Sequence, residues 1–161
     1  MPHELEHLEP ACQDEELTET LRRVSAEVME TMFFSEAVPV DCEHDWLAGA
    51  ASVRVDFDGS HSGQMWLALS REAIPAIAGA FLGLDPDEAA AEQRSQVILE
   101  LGNILCGAIL SSLWPESQLQ LDPPALTAWE CTSEGVWHVC LALEEGLLAI
   151  SIRLSGVKQT C

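Results

Sequence analysis

The stretch from Ala89 to Trp114 constrains the fold more than any other, because its spacing predicts one long helix buried on most sides. At about 100° per residue, Gln93, Gln96, Glu100, Asn103 and Gly107 fall on one narrow stripe. Val97, Ile98, Leu101, Ile104, Leu105, Ala108, Ile109 and Leu113 cover the rest of the circumference. A helix with so wide an apolar surface belongs in a core. Trp114-Pro115 ends it, since proline cannot continue the hydrogen-bond ladder.

A carboxylate and a carboxamide three residues apart, Glu100 and Asn103, are the conspicuous part of that stripe. As an ordinary solvated face they would only keep the helix wet, and such pairs are common. Three local choices argue for more. Asparagine is a poor helix former because its side chain competes for backbone hydrogen bonds. Gly102 and Gly107 each cost about 1 kcal/mol relative to alanine in a helix interior. Glycines beside the polar pair leave backbone bare, as close docking of another surface would require. Local rules broken together mark a candidate site.

Composition limits what such a site can serve. The 161 residues fit one domain, and 48% hydrophobic residues can fill its core. With 27 acidic against 7 basic residues the net charge is −20, which disfavours nucleic acid and anionic membrane as partners. No apolar run reaches the roughly 18 residues of a membrane span, and the acidic start lacks a signal-peptide pattern. The expected location is cytoplasmic. The six cysteines show no CxxC spacing and read as reduced thiols rather than a disulfide framework. His3, His7 and Cys12, and the Cys42-x-His44 pair, have metal-ligand types but no matching second pair. They read as tail and loop, so no metal site is expected.

Taken in order, residues 1–13 read as a frayed tail, 14–155 as a single domain and 156–161 as a second tail. A helix from Asp14 to about Ser35 buries Leu17, Leu21, Val24, Val28 and Met32, and the extended stretch Ala37–Val40 follows. Alternation predicts strands over Ala50–Phe57 and Gln64–Leu69, joined by the turn from Asp58 to Gly63. Ser70 is the expected N-cap of a helix over Ala73–Leu82, with Pro75 in its first turn and Gly83 as its stop. After the long helix and a proline-containing loop come strands over Ala125–Cys131, Val136–Leu143 and Leu147–Leu154. Short hairpins imply an α+β fold, an antiparallel sheet with helices packed on one face. The last strand is expected at an edge, open to pairing with a second copy. A weak internal repeat relates Glu27-Val28-Met29-Glu30-Thr31-Met32-Phe33 to Glu100-Leu101-Gly102-Asn103-Ile104-Leu105-Cys106, which suggests a pseudo-twofold duplication.

Element order, duplicated helices and Glu100-x-x-Asn103-x-x-x-Gly107 together resemble the CheC/CheX/FliY family of chemotaxis phosphatases, most of all CheX. In the family's longer motif an Asp or Ser stands four residues before the Glu, where this chain has Gln96, and a Pro stands where it has Leu126. The resemblance implies hydrolysis of the aspartyl phosphate of a CheY-like response regulator. Asn103 would hold the water, and Glu100 would pair with the regulator's active-site lysine. Gln96, Gly102 and Gly107 would lie in the docking face. It implies Mg²⁺ supplied by the regulator, no cofactor of the chain's own, and a homodimer. The chemistry suits the residue types, because an acyl phosphate is already activated and needs an aligned water more than a strong base. A carboxamide both accepts and donates, so it can orient that water. Glu30, the counterpart of Asn103, lacks the donor and would repel a phosphoryl group. A non-catalytic module docking a regulator or flagellar-switch-like partner through the same face is the alternative expectation.

Overall fold

The computed structural model describes residues 10–41, 45–129 and 136–155, the side chains of 10–14 and 136 excepted. His3, His7, Cys42, His44 and the parts of both tails beyond these limits lie outside the described residues, as does the side chain of Cys12. A helix α1 (Pro10–Met32) leads into β1 (Val38–Val40), and a 3-10 turn at Leu47–Gly49 precedes the hairpin β2 (Ala51–Gly59) and β3 (Ser62–Leu69). A second 3-10 turn runs into α2 (Ile74–Leu82), followed by the long α3 (Ala91–Leu113). Two short strands, β4 (Leu119–Leu121) and β5 (Ala125–Leu126), precede the hairpin β6 (Val136–Ala142) and β7 (Leu147–Ser155).

All pairings are antiparallel, in the order β1-β6-β7-β3-β2-β4, with β5 also on β2. Alternation sends Val53, Val55, Phe57, Met65, Leu67, Leu69, Ile150 and Ile152 to one face, where they join Leu17, Leu21, Met29, Leu101, Leu105 and Ile109 from the helices in a single core. Burial of that apolar face is the main driving force for docking the helices. A smaller cluster of Leu47, Ala68, Cys140 and Ala149 lies on the second face. There Trp66 is flanked by the Arg54 and Arg153 guanidinium groups at 5.9 and 5.2 Å from its ring. The α+β fold class is as expected.

Several details differ. The strand over 147–154 is central, not an edge: β7 is hydrogen-bonded to β6 on one side and β3 on the other, so it has no ladder groups left for a second copy. Leu148, Ala149, Ile150 and Ile152 are buried there, with Ser151 and Arg153 interrupting the apolar run. Helix α1 begins at Pro10, four residues before the expected start at Asp14. The strand over 125–131 shrinks to Ala125–Leu126, with 130 and 131 outside the described residues. Strand β4 falls in what reads as loop, being a three-residue stretch without room for alternation. Ser70 does not cap α2; its Oγ accepts from the Leu147 N–H at 2.9 Å, tying the hairpin end to β3. Cys140 is disulfide-bonded while Cys106 is a free thiol, so the reading of all six thiols as reduced is overturned. Spacing alone could not reveal that, since disulfide partners are set by the fold.

Candidate functional site: the polar stripe of α3

Helix α3 is long and apolar enough by composition to cross a membrane, yet half of that window is buried inside the fold. Val97, Ile98, Leu101, Leu105, Cys106, Ile109, Leu110 and Leu113 are its buried side, packed on α1, α2, β2 and β3. Gln96, Glu100 and Asn103 are exposed. Among the described residues no hydrogen bond or ion pair engages the side chains of Glu100 or Asn103. A carboxylate and a carboxamide thus stand together in solvent on a helix held rigidly from behind.

Gln93 is on the stripe in projection, but its Oε1 accepts from the Ala90 N–H at 2.8 Å and satisfies a free donor at the helix start. At the other end the Trp114 N–H closes on Leu110 O, and the Trp114 ring is stacked on His61 from the β2–β3 turn, with centroids 3.8 Å apart. That stack pins the end of the site helix, and no pattern in the sequence pairs those two residues.

The two glycines do different things. Gly102 is buried, and a methyl group there would sit 2.7 Å from Val53 Cγ1. It lets α3 approach β2, so its assignment to the docking face is corrected: the bare backbone faces the sheet, not a partner. Helical spacing explains the error. Gly102 precedes Asn103 by one residue, about 100° around the helix, far enough to leave the exposed stripe. Gly107 is one turn beyond Asn103, half-exposed, with open space where its side chain would be. Leu126, at the position of the family's Pro, is 52% exposed on β5 and is the cross-strand partner of Val53, against which Gly102 packs. Gly102 and Leu126 are thus both neighbours of Val53.

The geometry defines an α+β protein whose core helix presents an exposed Glu-x-x-Asn pair. The family described as chemotaxis phosphatase CheX matches residues 51–130, a span that includes all of α3. Among solved structures, CheX from Desulfovibrio desulfuricans superposes with a TM-score of 0.70 at 18% identity, covering 87% of this chain and 99% of that one. The CheX–CheY–BeF3–Mg²⁺ complex from Borrelia burgdorferi gives 0.65 at 19% identity, covering 84% of this chain and 96% of that one. Thermotoga maritima FliY gives 0.61 at 16% identity, covering 91% of this chain and 92% of that one. No curated protein matches the sequence. At these identities the superpositions establish the fold alone, and over residues 51–130 the chain is similar to chemotaxis phosphatase CheX.

Proposed function

We propose that the chain hydrolyses the aspartyl phosphate of a CheY-like response regulator by presenting α3 to the regulator's phosphorylation site. The observation that carries this reading is the joint exposure of Glu100 and Asn103 on an otherwise buried helix. The family match and the likeness to a CheX crystallised with CheY, BeF3 and Mg²⁺ support it. Asn103 accepts a hydrogen bond from the attacking water and donates another, fixing the water in line with phosphorus. The water oxygen bonds to phosphorus as the bond to the aspartyl oxygen breaks. The aspartate leaves as carboxylate, and the water's surplus proton passes to the phosphate product or solvent. Glu100 pairs with a lysine of the regulator and sets the docking angle. Gln96 and Gly107 flank the contact, the first by its amide and the second by leaving room. The Mg²⁺ belongs to the regulator and neutralises phosphoryl charge there.

A homodimer is part of the same reading. Among the described strands, edge pairing between copies would use β1, β4 or β5, because β7 is flanked on both sides. The reading places the protein in the cytoplasm with its regulator.

The test follows loss of acyl phosphate from a panel of phosphorylated receiver domains mixed with the protein, Glu100→Ala or Asn103→Ala. Accelerated decay that Asn103→Ala abolishes without loss of binding, and that Glu100→Ala abolishes together with binding, supports the reading. Binding with decay at the regulator's own rate would leave a docking module instead.

A further inference from the structure

The C-terminal end of α1 breaks a local rule that hydrolysis at α3 does not use. Phe34 has φ 56°, and among the described residues it is the only non-glycine with a positive φ. The left-handed position after a helix normally takes Gly or Asn, because a Cβ there crowds the following carbonyl. The turn itself is well made: the Ser35 and Phe33 N–H groups both donate to Met29 O, at 3.0 and 3.2 Å. A phenyl ring at such a place would be excused if it filled the core. That task already falls to Phe33, which is buried and stacked on Phe81 of α2 with centroids 5.4 Å apart. Phe34 is instead 74% exposed.

Beside the ring lies a cleft of about 140 Å³, lined by Phe33, Phe34, Ile77 and Leu143, with Glu144 and Glu145 also in its wall. The adjoining ends of α1 and α2 leave Met32 44% and Leu82 38% exposed. An apolar cleft with an exposed aromatic at its mouth is the form of an anchor site for a side chain from another molecule.

Charge selects the occupant. The chain carries −20 overall, and the cleft holds two carboxylates. A second copy seated across a twofold axis would bring Glu144 and Glu145 against their own equivalents, and an anionic membrane would meet the same repulsion. A segment with Lys or Arg on either side of one large apolar residue satisfies both the cleft and its rim. We propose that Phe34 and this cleft dock a cationic segment of a partner protein, seating one large apolar side chain between Phe34 and Leu143 with its flanking cations on Glu144 and Glu145. The proposal stands apart from the reading of Glu100 and Asn103.

The test measures binding of short fluorescent peptides by anisotropy, at roughly 0.15 M salt so that diffuse attraction is screened. The probes are a peptide with leucine and tryptophan flanked by lysines, the same peptide with glutamates for lysines, and one with serines for the apolar residues. The first peptide binds and the other two are weaker by about tenfold or more. Phe34→Gly weakens the first peptide by about tenfold while leaving Tm unchanged or higher, because glycine is at ease at this φ. Glu144→Gln with Glu145→Gln also weakens it, and amide cross-peaks shift at the cleft residues. Equal binding by Phe34→Gly, or by the serine peptide, would show charge attraction alone and overturn the proposal. So would failure of the first peptide to bind.

Discussion

The two long helices share a seven-residue pattern and use it in opposite ways. In α1 the pattern Glu27–Phe33 puts Met29 fully inside the core and leaves Glu27 and Glu30 in solvent. In α3 the equivalent of Met29 is Gly102, which meets Val53 through its backbone, and the equivalent of Glu30 is Asn103. One residue past each pattern stand Phe34, projecting, and Gly107, bare. The first helix is thus fastened to the sheet by a side chain. The second meets the sheet through bare backbone at Gly102, with an amide where the first has an acid and a hollow where the first has a ring. The two helices present similar exposed stripes, and the chemistry differs because a carboxamide can donate and a carboxylate cannot.

The sharpest way to break this contrast is Asn103→Ala. If only the second stripe is catalytic, regulator dephosphorylation falls by about 100-fold, the size of effect seen when one orienting group is lost, with binding retained. Stopped-flow decay and a binding titration together read the two effects. Gly102→Ala comes next. The added methyl overpacks against Val53 and lowers stability by about 2 kcal/mol, roughly 5 °C in Tm. The added substitution Val53→Ala recovers part of the loss, as coupled neighbours should. Gly107→Ala has the opposite sign, because open space lies beside it. It raises stability by up to about 1 kcal/mol and weakens regulator binding, which thermal melts and a titration would separate.

Cys106 and Phe33 occupy equivalent places, and only one of them titrates. Burial pushes the Cys106 thiol up from 9.0 to about 12. The folded state therefore keeps a proton that the unfolded chain releases, so this contribution is intact below about pH 9 and is lost as pH rises toward 12. The slope is at most about 1.4 kcal/mol per pH unit, and urea melts at rising pH should show it in the parent and not in Cys106→Ala. The smallest effect expected is that of Glu30→Asn in the Asn103→Ala background. Restoring the amide in the first stripe does not restore hydrolysis, because Phe34 stands where Gly107 leaves room. Recovered turnover would show the two stripes to be interchangeable.

Part of this was legible in the order of residues. The span of α3, its exposed Gln96, Glu100 and Asn103, the hairpins of β2 with β3 and β6 with β7, and the helical stop at Gly83 all follow from periodicity and turn chemistry, which are local. The placement of β7 was not legible. A strand buried between two neighbours and an apolar strand waiting at an edge have the same composition, and only pairing separates them. The role of Gly102 was hidden for a similar reason, since a bare backbone invites any surface and the sheet reached it first.

The amino-acid order by itself determined a core helix carrying one polar stripe, because amphipathic spacing needs no partner to be read. Tertiary structure alone decided which glycine faces inward, which strand is central, and that Phe34 is left standing in solvent. Those outcomes depend on contacts between residues far apart in the chain, and no local propensity records them.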